Sequence, residues 1–269
     1  MTDATDPHAI AVLIPALNEE AAIREVVSSV LAICPNVIVV DDGSTDATVE
    51  RIADLPVTLI RHEKPRGKGE ALRAGFRKAL AMGFPAVVTM DGDGQHVAAD
   101  VPRLLAAARQ HPGHIVLGAR VLNRHRQPAY RRRANNFGDW GIGWAIGQAV
   151  IDTQSGQRYY PRAALELADI DTEGFVFESE ILIEANWQRG LRIAAVPIES
   201  RYHGEFRASH FRSVPDFMKI TCRVIGKIVR RGFLLGNYRR ARRDTPLLVD
   251  PQGVSADAGH SDQPGGVPG

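Results

Sequence analysis

Short apolar runs alternate along the chain with stretches whose apolar residues recur at helical spacing. The first run, Ile10 to Pro15, is continuous, as in a strand buried on both faces. After it, Ile23, Val26, Val27, Val30 and Leu31 predict a helix with one buried stripe, capped by Asn18 and ended by Pro35. The β-branched run Val37 to Val40 breaks into Asp41, Asp42 and Gly43, and Ser44, Thr45 and Asp46 offer caps for a second helix. A third strand is expected at about Val57 to Ile60. Gly67, Lys68 and Gly69 then open a helix that runs to about Ala81, and a fourth strand, Ala86 to Met90, leads directly into Asp91. Strands separated by helices cannot pair as hairpins, so the connections are crossovers and the sheet is mostly parallel, with helices on both faces. Such sheets bind ligands at the carboxyl ends of their strands.

Further on, the pattern predicts a helix at Val101 to Arg109, a strand at Ile115 to Leu117, a helix near Phe177 to Arg189 and a strand at Ile193 to Pro197. A last helix is expected from Val214 to about Arg231. Residues 121–176 are less regular. From Asp244 onward Gly, Pro, Asp and Ser predominate and a disordered tail is expected, as is a flexible start over residues 1–9. The uncharged stretches Val26 to Val40 and Trp140 to Ile151 fall short of the roughly 18 residues a spanning helix needs.

Composition narrows the class. The 269 residues are 44% hydrophobic and 24% charged, an ordinary globular balance, and a formal charge of +2 disfavours a global polyanion binder, so no nucleic-acid partner is expected. Cys34 and Cys222 are too far apart in sequence for a zinc or CxxC motif, and the acidic start MTDATDPHAI lacks the basic-then-apolar order of a signal peptide. Both point to the cytoplasm.

Polar clusters follow three of the strands: Asn18 and Glu19, then Asp41 and Asp42, then Asp91 and Asp93. Topology brings all three to one sheet edge. Caps and turns explain Asn18 or Asp46 singly, but three acidic strand ends together repel unless something positive sits among them, and the spacing DGD suits a shared divalent cation. A GxGxxG turn is missing after the first strand, and RGKGE lacks the GxxxxGK[ST] spacing of a phosphate loop, which disfavours nicotinamide-dependent and P-loop enzymes. A nucleotidyltransferase would carry a Gly-rich basic loop where this chain has ALNEE.

The segments IPALNEE, VVDDGSTDAT, RGKGEALRAGF and MDGDGQH, in this order, resemble the nucleotide-sugar domain of family 2 glycosyltransferases, which have a GT-A fold. LGAR, DTQSGQRYYPR, GFVFESEILIEA and VPIESRYHGEFRASHFR are similar to the branch containing dolichol-phosphate mannosyltransferase and bacterial polyprenyl-phosphate glycosyltransferases. The resemblance implies a domain over residues 10–232, with a nucleotide-sugar half at 10–120 and an acceptor half at 121–232, followed by a basic segment and tail at 233–269. It implies that Pro15, Asn18, Glu19, Asp41, Asp42, Lys68 and Asp91 bind the nucleotide, and that Asp91, Asp93 and Gln95 hold Mg²⁺ or Mn²⁺. Asp152 and Ser155 fall where related enzymes shape the acceptor and sugar pocket; for a hydroxyl acceptor Asp152, with Glu178 second and Glu180 weaker, is the candidate base, whereas a phosphate acceptor requires none. Arg120, at a strand end facing the same edge, is expected to contact phosphate, with a solvated strand-end arginine as the alternative, and Arg131 opens a basic run suited to phosphate. The resemblance adds Arg201 and Ser209, with His203, Arg207 and His210, in a loop that closes over the nucleotide. GEFRASHF departs from the GESK-like stretch usual in that branch.

The implied reaction is inverting transfer from a UDP- or GDP-sugar to a lipid-linked acceptor, polyprenyl phosphate in the first instance, or else to a hydroxyl of a glycolipid or envelope polymer. A catalytically inactive nucleotide-sugar-binding protein is the reading from another class. Relatives often carry appended spanning helices, so peripheral attachment to the inner membrane face, or an integral-membrane partner, is expected here. Charge agrees: residues 201–243 carry a net +10 and the remainder −8. Arg131 to Arg133 precede WGIGWAIGQAVI, which suits a phosphate-headed lipid or equally a core helix. The stripe Phe217, Ile220, Val224 and Ile228, followed by Arg230, Arg239, Arg240, Arg242 and Arg243, suits an anionic membrane surface, with a core-packed helix as the alternative.

Overall fold

A computed structural model describes residues 3–124, 127, 129–170, 177–199 and 213–250. Among these residues a single sheet has seven strands: β1 (Ala11–Ala16), β2 (Val37–Asp41), β3 (Thr58–Arg61), β4 (Ala86–Thr89), β5 (His114–Ala119), β6 (Arg158–Pro161) and β7 (Arg192–Pro197). Their order is β3-β2-β1-β4-β6-β5-β7, and every pair is parallel except those of β6 with β4 and β5. The helices are α1 (Ile23–Leu31), α2 (Lys68–Ala81), α3 (Val101–Gln110), α4 (Ala129–Ile146), α5 (Arg162–Leu165), α6 (Phe177–Arg189), α7 (Ser213–Arg230) and α8 (Leu235–Arg243).

Strand alternation divides β1 between two apolar layers. Val12 and Ile14 pack with α1 and α3 on one face, and Ala11 and Leu13 pack with α2, α4, α6 and α7 on the other. Both layers are buried, which is why the strand reads as an uninterrupted apolar run. The doubly covered, mostly parallel sheet matches the expected architecture.

Four local expectations are corrected. Asn18 does not cap α1; it lies at φ +54° and its side chain turns to Thr45. The second helix reduces to one 3-10 turn, Glu50–Ile52, because the loop after β1 engages its expected caps: Asn18 N donates to Ser44 Oγ, Thr45 Oγ1 to Asn18 Oδ1 and Glu20 N to Asp46 Oδ2. The apolar stripe Ile220, Val224 and Ile228 of α7 is core, packed against α4, so it is not a membrane-facing stripe. Finally, order continues past Asp244 as far as Asp250, the rest of the expected tail at 251–269 lying outside the described residues: Ala195 N donates to Leu247 O at 2.9 Å and Val249 N to Ala195 O at 2.8 Å. The apolar triplet Leu247 to Val249 thereby covers the open edge of β7.

Strand β6 emerges from the region whose pattern is irregular. It has four residues, starts on an arginine and ends on a proline, so no periodicity marks it. Yet Tyr159 and Tyr160 enter opposite layers, and Tyr160 meets the Phe76 ring edge-on with centroids 5.1 Å apart.

Candidate active site

The parallel strands β1 to β4 deliver their carboxyl ends, and the loops that follow, to one edge. The loop after β1 is fastened to the loop after β2: Asn18 N donates to Ser44 Oγ at 2.9 Å, Thr45 N to Asn18 Oδ1 at 2.9 Å, and Glu19 N to Thr48 Oγ1 at 2.8 Å. Asp41 closes β2, buried, accepting from Ser44 N at 3.1 Å with Arg61 Nε 3.1 Å from its other oxygen. Asp42 holds the loop after β3, accepting from Arg66 N at 3.0 Å and Gly67 N at 2.7 Å, with His62 Nδ1 at 2.7 Å. Gly43 is required at this corner, where φ is +81° and a Cβ would lie 2.7 Å from the Lys64 carbonyl carbon. Pro15 pairs in register with Val40, and its carbonyl oxygen lies beside Gly92. Pro15, Asn18, Glu19, Asp41 and Asp42 are thus brought together as one lip. Within it, Asn18 and Asp42 tie loops to each other through their side chains.

Deeper in, Lys68 at the start of α2 bridges two carboxylates, 2.6 Å from Asp91 Oδ1 and 3.2 Å from Glu178 Oε1. Burial works against its charge, but Asp91 and Glu178 outweigh it and raise the ammonium pKa. For Asp91, burial likewise opposes ionisation, while Lys68 and the His96 ring, 3.6 Å away, hold the carboxyl well below the usual range. Asp93 is raised instead, by burial and by the negative charge of Asp91; Gln95 N donates to its Oδ1 at 3.0 Å. Gly156 comes so close that a Cβ there would lie 2.2 Å from Asp91 Oδ2.

On the acceptor side Arg120 and Asp152 form one unit. Arg120 N and Nε donate to Asp152 Oδ2 at 2.7 and 2.9 Å, and Nη2 donates to Oδ1 at 2.8 Å. The base and the phosphate contact expected separately are therefore an ion pair. Asp152 sits at φ +49°, held by Asp139, which accepts from Asp152 N at 2.9 Å and Thr153 N at 2.8 Å. Ser155 is buried in the same loop.

Two residues outside the expected set organise this half. Arg158 is fully buried and donates to Ser155 O, Thr153 O, Tyr160 Oη and Glu178 O at 2.6 to 3.0 Å, joining the 152–157 loop to the start of α6. Asp139 is the other. Their signals are a single arginine ahead of a Tyr-Tyr pair and a single acid opening the uncharged stretch from Trp140 to Ile151. Arg131 lies on α4, its side chain outside the description, and Arg201, His203, Arg207, Ser209 and His210 are outside the described residues.

Glu178 and Glu180 part company, as residues two apart on a helix must. Glu178 faces Lys68, whereas Glu180 is wholly buried against α7, 2.8 Å from Arg223 Nε and 3.7 Å from Lys227 Nζ. Glu180→Gln is expected to lower stability by about 1–3 kcal/mol through lost charge-assisted bonds while leaving kcat within a few-fold. Chemical denaturation beside steady-state kinetics measures both, and a kcat loss without a stability loss would return Glu180 to the active site.

Asp91, Asp93 and Gln95 offer hard oxygen donors, which fits Mg²⁺ or Mn²⁺. Among the described residues no three His, Cys, Asp or Glu side chains form a closed ligand set. A cation held by these residues would supply positive charge to a diphosphate leaving group.

A doubly covered sheet with an acid-lined lip at the ends of β1 to β4, and DGD beyond β4, defines a nucleotide-diphosphate-sugar transferase of the GT-A class. The profile of Glycosyl transferase family 2 matches residues 11–172, and the chain belongs to that family of enzymes. It is 31% identical over 216 residues to a UDP-N-acetylglucosamine–dolichyl-phosphate N-acetylglucosaminyltransferase of Methanococcus voltae, covering 72% of this chain and 86% of that protein. It is 30% identical over 208 residues to a polyprenol monophosphomannose synthase of Mycolicibacterium smegmatis, covering 70% and 75% respectively. Among solved structures, glucosyl-3-phosphoglycerate synthase from Mycobacterium tuberculosis with Mn²⁺ and UDP-glucose superimposes with a TM-score of 0.63 at 25% identity, covering 85% of this chain and 80% of that one.

Proposed function

We propose that the protein transfers one sugar, with inversion, from a UDP- or GDP-sugar to a polyprenyl phosphate at the cytoplasmic face of a membrane, and that it requires Mg²⁺ or Mn²⁺. The observation that carries this reading is the pairing of the Asp91–Lys68–Glu178 cluster with the Arg120–Asp152 unit beside it. The names of the curated relatives, which act on dolichyl and polyprenol phosphates, support the acceptor.

The lip from Pro15 to Asp42 binds the nucleoside, and Asp91, Asp93 and Gln95 hold the cation, which supplies positive charge to the departing diphosphate when bound. Lys68 keeps Asp91 ionised and adds a second cation beside the leaving group. Arg120 and Arg131 receive acceptor phosphate, while Arg201 and Ser209 face the phosphates of the nucleotide. A phosphate acceptor is already an anion, so attack of its oxygen on the anomeric carbon, as the bond to the diphosphate breaks, needs no strong base. Asp152 then serves to aim Arg120 and Glu178 to hold Lys68. For a hydroxyl acceptor, a carboxylate takes the proton, Asp152 first and Glu178 second. That second reading is supported by the solved neighbours that hold phosphoglyceric acid. A donor-hydrolysis screen across UDP- and GDP-sugars, followed by extraction of radiolabelled lipid, tests both: a mild-acid-labile product is expected, and an acid-stable one would transfer the assignment to a hydroxyl acceptor. Absence of any nucleotide-dependent thermal shift with Mn²⁺ would refute the transferase reading itself.

Attachment is peripheral in this reading, with an integral-membrane partner as a further option. Among the described residues no helix is long and apolar enough to cross a membrane. Phe137, Trp140, Phe233 and Leu235 are exposed, near a basic α8 carrying Arg239, Arg240, Arg242 and Arg243. Flotation with anionic vesicles is expected to recover the protein at low salt and to lose most of it at high salt, since each basic residue near the surface contributes about 1 kcal/mol of screened attraction. Equal recovery with neutral vesicles would refute the electrostatic contribution.

A further inference from the structure

A cavity of about 310 Å³ lies between α4 and α8. Its volume is at the lower end of the roughly 300–1,000 Å³ of small-ligand pockets. Trp140, Trp144, Tyr238 and Ile151 supply apolar surface, and Arg124 and Arg242 supply positive charge. The aromatic residues form a continuous series, with ring centroids 5.2 Å apart for Trp140 and Trp144 and 5.1 Å for Trp144 and Tyr238. Asp139 also lines the cavity, but its carboxylate is committed to the amides of Asp152 and Thr153. The net character presented to a ligand is therefore apolar with a cationic border.

The position matters as much as the lining. Ile151 borders the cavity and Asp152, the next residue, grips Arg120 in the active site. Phe137, exposed on α4, extends the aromatic series outward from Trp140 at 5.4 Å. The cavity thus adjoins the Asp152 segment through Ile151 and Asp139, and its aromatic lining continues to the exposed Phe137.

We propose that this cavity is the subsite for the first isoprene units of the lipid-phosphate acceptor, with the aromatic series packing the prenyl chain, its phosphate toward Arg120, and Arg124 and Arg242 at the border attracting the anionic lipid as it enters. The inference rests on the polyprenyl-phosphate reading above and adds what that reading lacks, a binding site for the hydrocarbon. Burial of each methylene contributes to affinity, so acceptor efficiency depends on chain length until the cavity is filled.

The test measures kcat/KM for sugar transfer to isobutyl phosphate, citronellyl phosphate and farnesyl phosphate. Farnesyl phosphate is expected to exceed isobutyl phosphate by roughly tenfold or more, mainly through KM. Ala241→Trp, which fills the cavity from α8, is expected to remove most of that preference. Because a tryptophan there can impair folding, Trp140→Ala, which truncates a partly exposed side chain, is the second variant and is expected to raise KM for farnesyl phosphate about fivefold or more. Equal use of the three acceptors by the unaltered protein, or an undiminished preference in a folded variant, overturns the subsite while leaving the transferase reading in place. Failure of the unaltered protein to glycosylate any of them, with donor hydrolysis intact, overturns the lipid-phosphate reading and the subsite with it.

Discussion

Alanine in place of Asp93 is expected to abolish sugar transfer while leaving the fold intact. The structural cost is small because Asp93 lies on a loop and its carboxylate accepts one recorded hydrogen bond, from Gln95 N at 3.0 Å. Such a bond is worth about 1 kcal/mol net, which for a chain of this size lowers Tm by no more than about 4 °C. The chemical cost is large. Asp91 is engaged by Lys68 at 2.6 Å, so Asp93 is the carboxylate most available to a cation, and losing the cation forfeits several kcal/mol of charge stabilisation on the diphosphate, roughly a thousandfold in rate. Turnover of the preferred donor, with the Mn²⁺-dependent thermal shift induced by the matching nucleoside diphosphate, checks both halves. Activity above a tenth of the unaltered level in the variant, or undiminished turnover in excess chelator, would remove the cation from the mechanism.

What could be read from the chain divides along physical lines. Strands β1, β2 and β4 are legible because they are buried on both faces and so consist of uninterrupted apolar residues. The acidic lip is legible because parallel topology alone brings the ends of these strands to one edge. Strand β6 is not, since its stability comes from hydrogen bonds to β4 and β5 on either side and not from any period of its own. The helix expected after β2 fails for a related reason. Ser44, Thr45 and Asp46 have the chemistry of caps, but the loop after β1 claims their side chains.

The same distinction runs through the active site. RGKGE marks Lys68 as a functional candidate, yet its bridging of Asp91 and Glu178 joins residues far apart in sequence and follows only from the packing of α2 beside α6 and β4. Arg158 and Asp139 escape notice because a lone charged residue reads as solvated. Each becomes a hub on folding: Arg158 by donating to three carbonyls, Asp139 by accepting from two amides. Glu178 ranks ahead of Glu180 in the sequence, and helical geometry separates the two fully, turning Glu178 to Lys68 and Glu180 to Arg223.

Gly156→Ala is expected to cost at least about a hundredfold in kcat/KM without adding or removing any charged group. The new Cβ would stand 2.2 Å from Asp91 Oδ2 and 2.6 Å from its Cγ, a separation that carbon and carboxylate atoms do not tolerate. The glycine backbone is held, because its carbonyl accepts from Thr89 Oγ1 at 2.7 Å and the next residue's carbonyl accepts from Gly118 N at 2.8 Å. The Asp91 carboxylate must therefore turn away, and in doing so it leaves Lys68. A displacement on the scale of 1 Å at a reacting centre is enough for a loss of this order, while overpacking costs about 1–3 kcal/mol of stability. Gly118→Ala separates the two effects. Its Cβ would also make a tight contact, 2.9 Å, but to Cδ1 of Ile198, the far end of a flexible apolar side chain that can rotate away. Both variants are expected to lose some stability and only Gly156→Ala to lose catalysis, so kinetics set beside denaturation curves for the pair test whether the position of Asp91 governs the reaction. Activity in Gly156→Ala within a few-fold of the unaltered protein would show that it does not.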